Sequence, residues 1–384
     1  MIKISENIFN VGASSYDVDL FEGQYIVPNG MAYNSYLVLD EKVVLFDGVD
    51  DIVKNEWLQN IEKLTDTIDY FVVQHMEPDH SSGIVALMEK YPNAKLVTTQ
   101  KAIVLIKQFY KIDFANRAII VKDGDTLDSG KHNFTFVFAP MVHWPEVMMT
   151  YESYEKVFFA ADAFGKFGAL DYEEDWACEA RRYYFNIVGK YGAQVQSLLK
   201  KVVAKGFEIE KILSLHGPAL TEDIYHYIDL YNTWSSYTPE VDGVFIAYTS
   251  IYGNTRNVAF ILKDKLEKQG VRVSIADLQR SDIAEGVEDA FKYSKMVLAA
   301  PTTDADIFPV MKEFLHHILS KNYQNRTVGF IENGSWAAQS GKLMRQMLEN
   351  QKNIKFVDSV VSIKSSFSEE NEVQLDAMVE ELKK

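Results

Sequence analysis

Short apolar runs, each closed by a polar stretch, punctuate the first part of the chain. Tyr70-Phe71-Val72-Val73, Phe134-Thr135-Phe136-Val137-Phe138, Val157-Phe158-Phe159-Ala160-Ala161 and Ile212-Leu213-Ser214-Leu215 are such runs. Their length and their β-branched and aromatic content predict buried strands. Helical patterns fall near 51–63, 82–90, 101–110 and 194–205. The pattern resets at Tyr237-Thr238-Pro239-Glu240-Val241-Asp242-Gly243, where a proline, polar residues and a glycine separate two organised regions. Beyond it, strands near 244–248, 271–276, 296–300, 327–332 and 356–363 alternate with helices near 254–269, 282–293, 307–319 and 337–350, before a closing helix near 368–383. Such alternation predicts a doubly wound parallel sheet. Two domains are expected, 1–240 of mixed α+β character and 243–384 of α/β character.

Composition narrows the function classes. At 384 residues, with 47% hydrophobic and 13% aromatic content, the chain is long enough for two full cores and is not a disordered polymer. A net charge of −16 opposes non-specific nucleic-acid binding, because phosphate repels an acidic surface. No apolar stretch reaches the twenty residues a membrane-spanning helix needs. Met1-Ile2-Lys3-Ile4-Ser5-Glu6-Asn7 lacks the apolar segment of a signal peptide, so a cytoplasmic location is expected. Cys178 is the sole cysteine. It excludes an internal disulfide, leaves no Cys-x-x-Cys pair for an iron–sulfur or rubredoxin iron, and is expected to be a packed small hydrophobe.

The candidate chemistry sits just beyond the predicted strands. His75-Met76-Glu77-Pro78-Asp79-His80 places two imidazoles and two carboxylates in six residues directly after the first run. On an extended segment, residues two apart point the same way, so His75, Glu77 and Asp79 are expected to converge on one point. His143, Asp162 and His216 stand at or just beyond the ends of the other three runs. Loops at one end of a sheet are free to be polar while the strands hold them rigidly. Imidazole with carboxylate is the donor mix of iron, manganese and zinc. Seven donors are too many for one tetrahedral ion and suit two ions sharing a bridge. His132, His226, His316 and His317 lie outside any such cluster and read as structural.

The second region has its own site. Thr249-Ser250-Ile251-Tyr252-Gly253-Asn254-Thr255 joins its first strand to its first helix. Hydroxyls, a glycine and the free N–H groups of a helix start make an anion site. Without a lysine it is not a nucleoside-triphosphate loop; a capped helix with a polar turn is the plainer reading. Pro301-Thr302-Thr303-Asp304 follows the third strand and Asn333-Gly334-Ser335-Trp336 the fourth. In a doubly wound sheet these loops meet the first where the strand order reverses. Trp336 is either a stacking surface for a ring or core filling.

These motifs together resemble a family. The 75–80 loop resembles the His-x-His-x-Asp-His signature of the metallo-β-lactamase superfamily, with Glu77 where the hydrolases carry a second His. With His143, Asp162 and His216 following in order, it resembles the flavodiiron proteins, and the 249–255, 301–304 and 333–336 loops resemble the FMN-binding loops of flavodoxins. Gly334 departs from an aromatic common at that place. The resemblance implies a metallo-β-lactamase-like αββα sandwich followed by a flavodoxin-like domain, without a C-terminal rubredoxin domain. It implies two Fe ions per chain. His75, Glu77 and His143 would hold one and Asp79, His80 and His216 the other, with Asp162 bridging, although the His80 equivalent is not a ligand in every member. It implies FMN, reduction of O₂ to water or NO to nitrous oxide, and a head-to-tail homodimer, alone or as a dimer of dimers. The electron donor would be external, rubredoxin or, in a methanogen, reduced F420. A carboxylate in place of an imidazole hardens the site and favours ferric iron. The rival readings are a zinc hydrolase with a fused flavodoxin-like module and a flavin electron shuttle whose metal is structural. Trp144-Pro145-Glu146, just after His143, reads either as a rigid turn or as a wall of the metal pocket.

Overall fold

The apolar run after Asp69 forms the strand Tyr70–Val72, inside a seven-stranded sheet of order Ile2–Lys3, Ile8–Asn10, Tyr36–Val38, Val44–Phe46, Tyr70–Val72, Lys95–Thr98, Ala118–Ile120. A computed structural model describes residues 1–384. By contacts it divides into two units, Met1–Asn232 and Thr233–Lys384.

In the first unit a second sheet runs Thr126–Asp128, Asn133–Phe138, Met148–Glu152, Val157–Phe159, Lys211–Leu213. The two sheets share one core. Val38, Phe46, Val72 and Val97 from the first meet Phe134, Phe136, Phe159 and Leu213 from the second, and Phe46 stacks on Phe159 with ring centroids 4.1 Å apart. Both faces of the inner strands are covered, which is why Val44–Phe46 and Val157–Phe159 are continuous apolar runs rather than alternating ones. Helix Lys54–Glu62 covers the outer face of the first sheet, its buried Trp57 packing against Phe71. The fold is the β-lactamase-like sandwich that the motifs imply.

The second unit carries five parallel strands in the order Val273–Asp277, Val241–Tyr248, Tyr293–Thr303, Thr327–Asn333, Lys355–Ile363. Helices Asn254–Lys268 and Glu369–Leu382 bury Val258, Leu262, Leu375 and Met378 against one face. Strand order 2-1-3-4-5 puts the switch point between the first and third strands, as a flavodoxin-like sheet requires.

Two helices were not legible in the sequence. Trp176–Tyr183 runs through a π-helical turn, Tyr184–Val188, and a 3₁₀ turn, Gly189–Tyr191, into Gly192–Ala204. Residues 180–189 are nearly all buried, so no polar face marks a helical period. Ile224–Ser235 is the other. Cys178 corrects an expectation. It lies on the outer face of the Trp176–Tyr183 helix and is exposed rather than packed.

Candidate functional site

The strand ends deliver the seven sequence-predicted side chains to one place. Val72 is the last strand residue before His75, and the loop between is pinned by Asp47, whose Oδ1 accepts the N–H groups of Gln74 at 2.7 Å and His75 at 3.2 Å. Burial pushes the Asp47 carboxyl up to about 6. Pro78 then opens the short helix Pro78–Ser81, which carries Asp79 and His80. Asp162 lies three residues beyond Val157–Phe159 and His216 three beyond Lys211–Leu213.

The seven fall into two groups, His75, Glu77, His143 and Asp162 in one and Asp79, His80 and His216 in the other. His75, Glu77 and Asp79 therefore do not converge on one point as alternation along a strand would have them. The chain turns helical at Pro78, and the helical turn sends Asp79 with its neighbour His80 to the second group.

Asp162 joins the groups. Its Oδ2 lies 3.0 Å from His143 Nε2 and 3.2 Å from His75 Nε2, while its Oδ1 lies 3.0 Å from His80 Nε2. Glu77 Oε2 is 3.0 Å from His143 Nε2 and 3.2 Å from His75 Nε2. Asp79 Oδ2 is 3.3 Å from both His80 Nε2 and His216 Nε2. His75, His80, Asp162 and His216 are essentially inaccessible to solvent.

The donor chemistry fits cations. His216 donates its Nδ1–H to the Ala32 carbonyl at 2.7 Å, which turns its Nε2 toward Asp79 and His80. His75 donates its Nδ1–H to Glu146 at 2.9 Å, which turns its Nε2 toward Glu77 and Asp162. Asp79 buries both carboxylate oxygens without a hydrogen-bond partner. Burial works to lower His75, His80 and His143, yet the carboxylates win. Asp162 raises His75, Asp79 and Asp162 raise His80, and Asp162 with Glu77 pushes His143 up to about 9. A cluster that draws protons onto three buried imidazoles is one whose carboxylates call for positive charge. Two divalent cations, one per group, would answer the same need.

Residues outside the seven complete the surroundings. Phe21, Tyr33 and Tyr183 pack around the His216 ring at 5.3, 5.9 and 5.4 Å. The Tyr183 hydroxyl is buried without a partner. Burial, then Asp162 and Asp79, raise it well above the usual phenol range, so it is a proton-bearing donor. A cavity of about 240 Å³ reaches Glu77 and Asp79 past Glu22, Tyr33 and Asp50. Burial and the adjacent Glu77 push the Glu22 carboxyl up to about 7. Trp144 packs edge-on to His75 with centroids 5.3 Å apart, and Glu146 binds that ring, so the 144–146 turn is also a wall of the site. A carboxylate three residues beyond a candidate ligand was the signal for Glu146; nothing in the sequence marked Tyr183 or Glu22.

In the second unit, the three loops line one cleft of about 390 Å³. Ser250, Ile251, Tyr252, Asn254, Thr255, Pro301, Thr302, Asp304 and the residues 333–336 all reach it, whereas Thr249, Gly253 and Thr303 do not. Gly253 has φ +89 and hands the chain into helix Asn254–Lys268, and its N–H donates to Ser250 Oγ at 3.0 Å. Thr249 Oγ1 is buried with no partner beneath that turn. Thr302 Oγ1 accepts the N–H groups of Gln339 and Ser340 at the start of helix Ser340–Leu348. Tyr252 and Trp336 stand 92% and 94% exposed at the rim, so Trp336 is not core filling. Gln339 and Ser365 also line the cleft. An anion-binding helix start beneath a slot with an aromatic rim fits a phosphorylated flat ring.

Comparisons with known proteins agree with both halves. The ODP family beta lactamase pattern matches residues 31–217 and the flavodoxin domain pattern residues 245–360. An anaerobic nitric oxide reductase flavorubredoxin of Vibrio vulnificus is 30% identical over 348 residues, 87% of this chain and 70% of that protein. The structure of rubredoxin oxygen:oxidoreductase from Desulfovibrio gigas superposes with a TM-score of 0.92 at 26% identity, over 99% of this chain and 97% of that one. The flavodiiron protein from Giardia intestinalis gives 0.89 at 26% identity, over 100% and 96%.

Proposed function

The chain belongs to the flavodiiron protein family, and from that membership we propose that it is an oxidoreductase reducing dioxygen to water, nitric oxide to nitrous oxide, or both, with FMN and two irons per chain. The observation that carries this reading is the position of Asp162, whose two oxygens each face a separate group of imidazole and carboxylate donors. When bound, FMN accepts electrons in pairs and passes them on singly, and the irons supply reducing equivalents and open positions for a diatomic gas. His75, Glu77 and His143 would hold one iron and Asp79, His80 and His216 the other, with Asp162 supplying an oxygen to each group. Glu77 makes the first group harder than a zinc hydrolase would need. The helix start at Asn254, with Ser250 and Thr255, takes the FMN phosphate, while Pro301, Thr302, Asp304, Asn333, Gly334, Ser335 and Trp336 surround the ring. Tyr183 holds a proton beside the His216 group.

The exposed Tyr252 and Trp336 at the cleft rim favour a partner surface there, which supports a head-to-tail homodimer that brings one chain's flavin to the other's irons. One cysteine among these 384 residues cannot build a rubredoxin site within them, and the proposed source of electrons is rubredoxin or reduced F420. No helix is long and apolar enough to cross a membrane, and the proposed setting is the cytoplasm. The test loads the protein with ferrous iron, reduces it anaerobically and pulses it with O₂ or NO. Rapid consumption with about two irons and one flavin per chain supports the reading. A protein that takes zinc alone and consumes neither gas returns the hydrolase.

A further inference from the structure

Two buried side chains in the first unit make a contact that the reaction scheme above leaves unused. Glu146 Oε1 accepts the His75 Nδ1–H at 2.9 Å and the Met76 N–H at 2.9 Å. Neither the His75 nor the Glu146 side chain is exposed at all. Glu146 is itself held in place. Its carbonyl accepts from Thr99 Oγ1 at 3.3 Å, and Thr99 caps helix Gln100–Tyr110. Its second carboxylate oxygen, Oε2, is buried with no donor, so apart from the Met76 N–H the charge faces His75 alone.

The other group has no equivalent. His216 leans on the neutral Ala32 carbonyl at 2.7 Å. His80 Nδ1 is buried with no partner at all. A carboxylate behind an imidazole fixes its tautomer and raises its basicity; a carbonyl does this less, and nothing behind it least.

Resting on the di-iron reading above, we infer that Glu146 is a positioning residue that makes the two metal positions unequal. Through His75 it gives the His75–Glu77–His143 position the more tightly held iron and the lower reduction potential. The His80–His216 position is the one that loses metal first. The asymmetry lives in the protein, not in the ligand count, because each position draws three unshared donors of the same two chemical types.

Glu146→Gln tests it on the full FMN-containing protein loaded with ferrous iron. The amide oxygen can still accept both N–H groups, so size and hydrogen bonds are kept and only the charge goes. The expected result is a positive shift of the lower iron potential, a narrower window in which the half-reduced pair is seen by electron paramagnetic resonance, and release of the retained iron to a ferrous chelator about 10–100-fold faster. Wild-type potentials and release rates in Glu146→Gln would overturn the inference. Should that variant not fold, the wild-type protein still decides. Its two irons should leave to the chelator in two phases separated by about tenfold or more, and a single phase refutes the asymmetry. A wild-type protein that binds no iron overturns the di-iron reading itself, whereas two bound irons with an indifferent Glu146→Gln overturn only the role of Glu146.

Discussion

His80 and His216 face each other Nε2 to Nε2 at 3.1 Å inside the first unit. The His216 Nδ1–H donates to the Ala32 carbonyl, so a proton on one Nε2 or a cation between the two must fill the gap. Ferrous iron should therefore stabilise the fold as a ligand that binds the native state alone. At a hundred- to thousandfold excess over its dissociation constant, the gain should be about 3–4 kcal/mol. Differential scanning calorimetry of stripped and iron-loaded protein measures it; identical melting curves contradict a metal at this position.

Asp162 is the side chain both groups share, and Asp162→Asn keeps its shape while removing its charge. The variant should hold one iron or none and consume neither O₂ nor NO, with the visible flavin spectrum unchanged. Metal analysis and gas-electrode traces on the same sample check it. Full turnover in Asp162→Asn would mean that the oxygen pair does not span two metals.

Tyr183 carries a buried hydroxyl with no partner beside the His216 ring. As the nearby proton holder, it should matter to turnover and not to assembly. Tyr183→Phe should retain iron and FMN while gas reduction falls about 100-fold, the lower end for a lost general acid. The unpartnered hydroxyl costs something in the fold, so the variant should be no less stable than the parent. Unchanged turnover would assign the proton to another group.

Asp40 supplies a pH dependence remote from the metal donors. Burial works to raise its carboxyl, but the His132 amide at 2.8 Å and the His132 ring at 2.9 Å outweigh that and hold it well below the usual carboxylate range. A depressed native value means the stabilisation is complete above about pH 4 and fades as pH falls further. Asp40→Asn should cost roughly 2 kcal/mol at pH 7, and the gap between variant and parent should close on acidification toward pH 2. Melting curves from pH 7 to pH 2 give the answer; a constant gap would mean that the charge contributes nothing.

Much of the fold was legible because strands and helices here obey local rules. The five parallel strands of the second unit fall where apolar runs stand between helical patterns. The seven donors were legible because each follows an apolar run in sequence. Strand alternation, unlike the family resemblance, misplaced Asp79 for a definite reason. Spacing alone cannot tell a strand's alternation from the first turn of a helix, and Pro78 starts a helix. Cys178 was misread because cysteine's usual burial is a tendency, and here the residue sits on a helix's outer face. Tyr183 and Glu22 were invisible, since they meet the site only through tertiary packing across some 20 to 120 residues of chain.

The π turn at Tyr184–Val188 leaves an inherited phase offset between the two helical segments it joins. A regular helix advances about 100° per residue. Shortening the turn by a single residue would straighten it and rotate Trp176–Tyr183 by about that angle against Gly192–Ala204. The phenol of Tyr183 would then swing off the His216 ring. A lineage that loses one amino acid there would keep its helix and forfeit the aim of its proton donor.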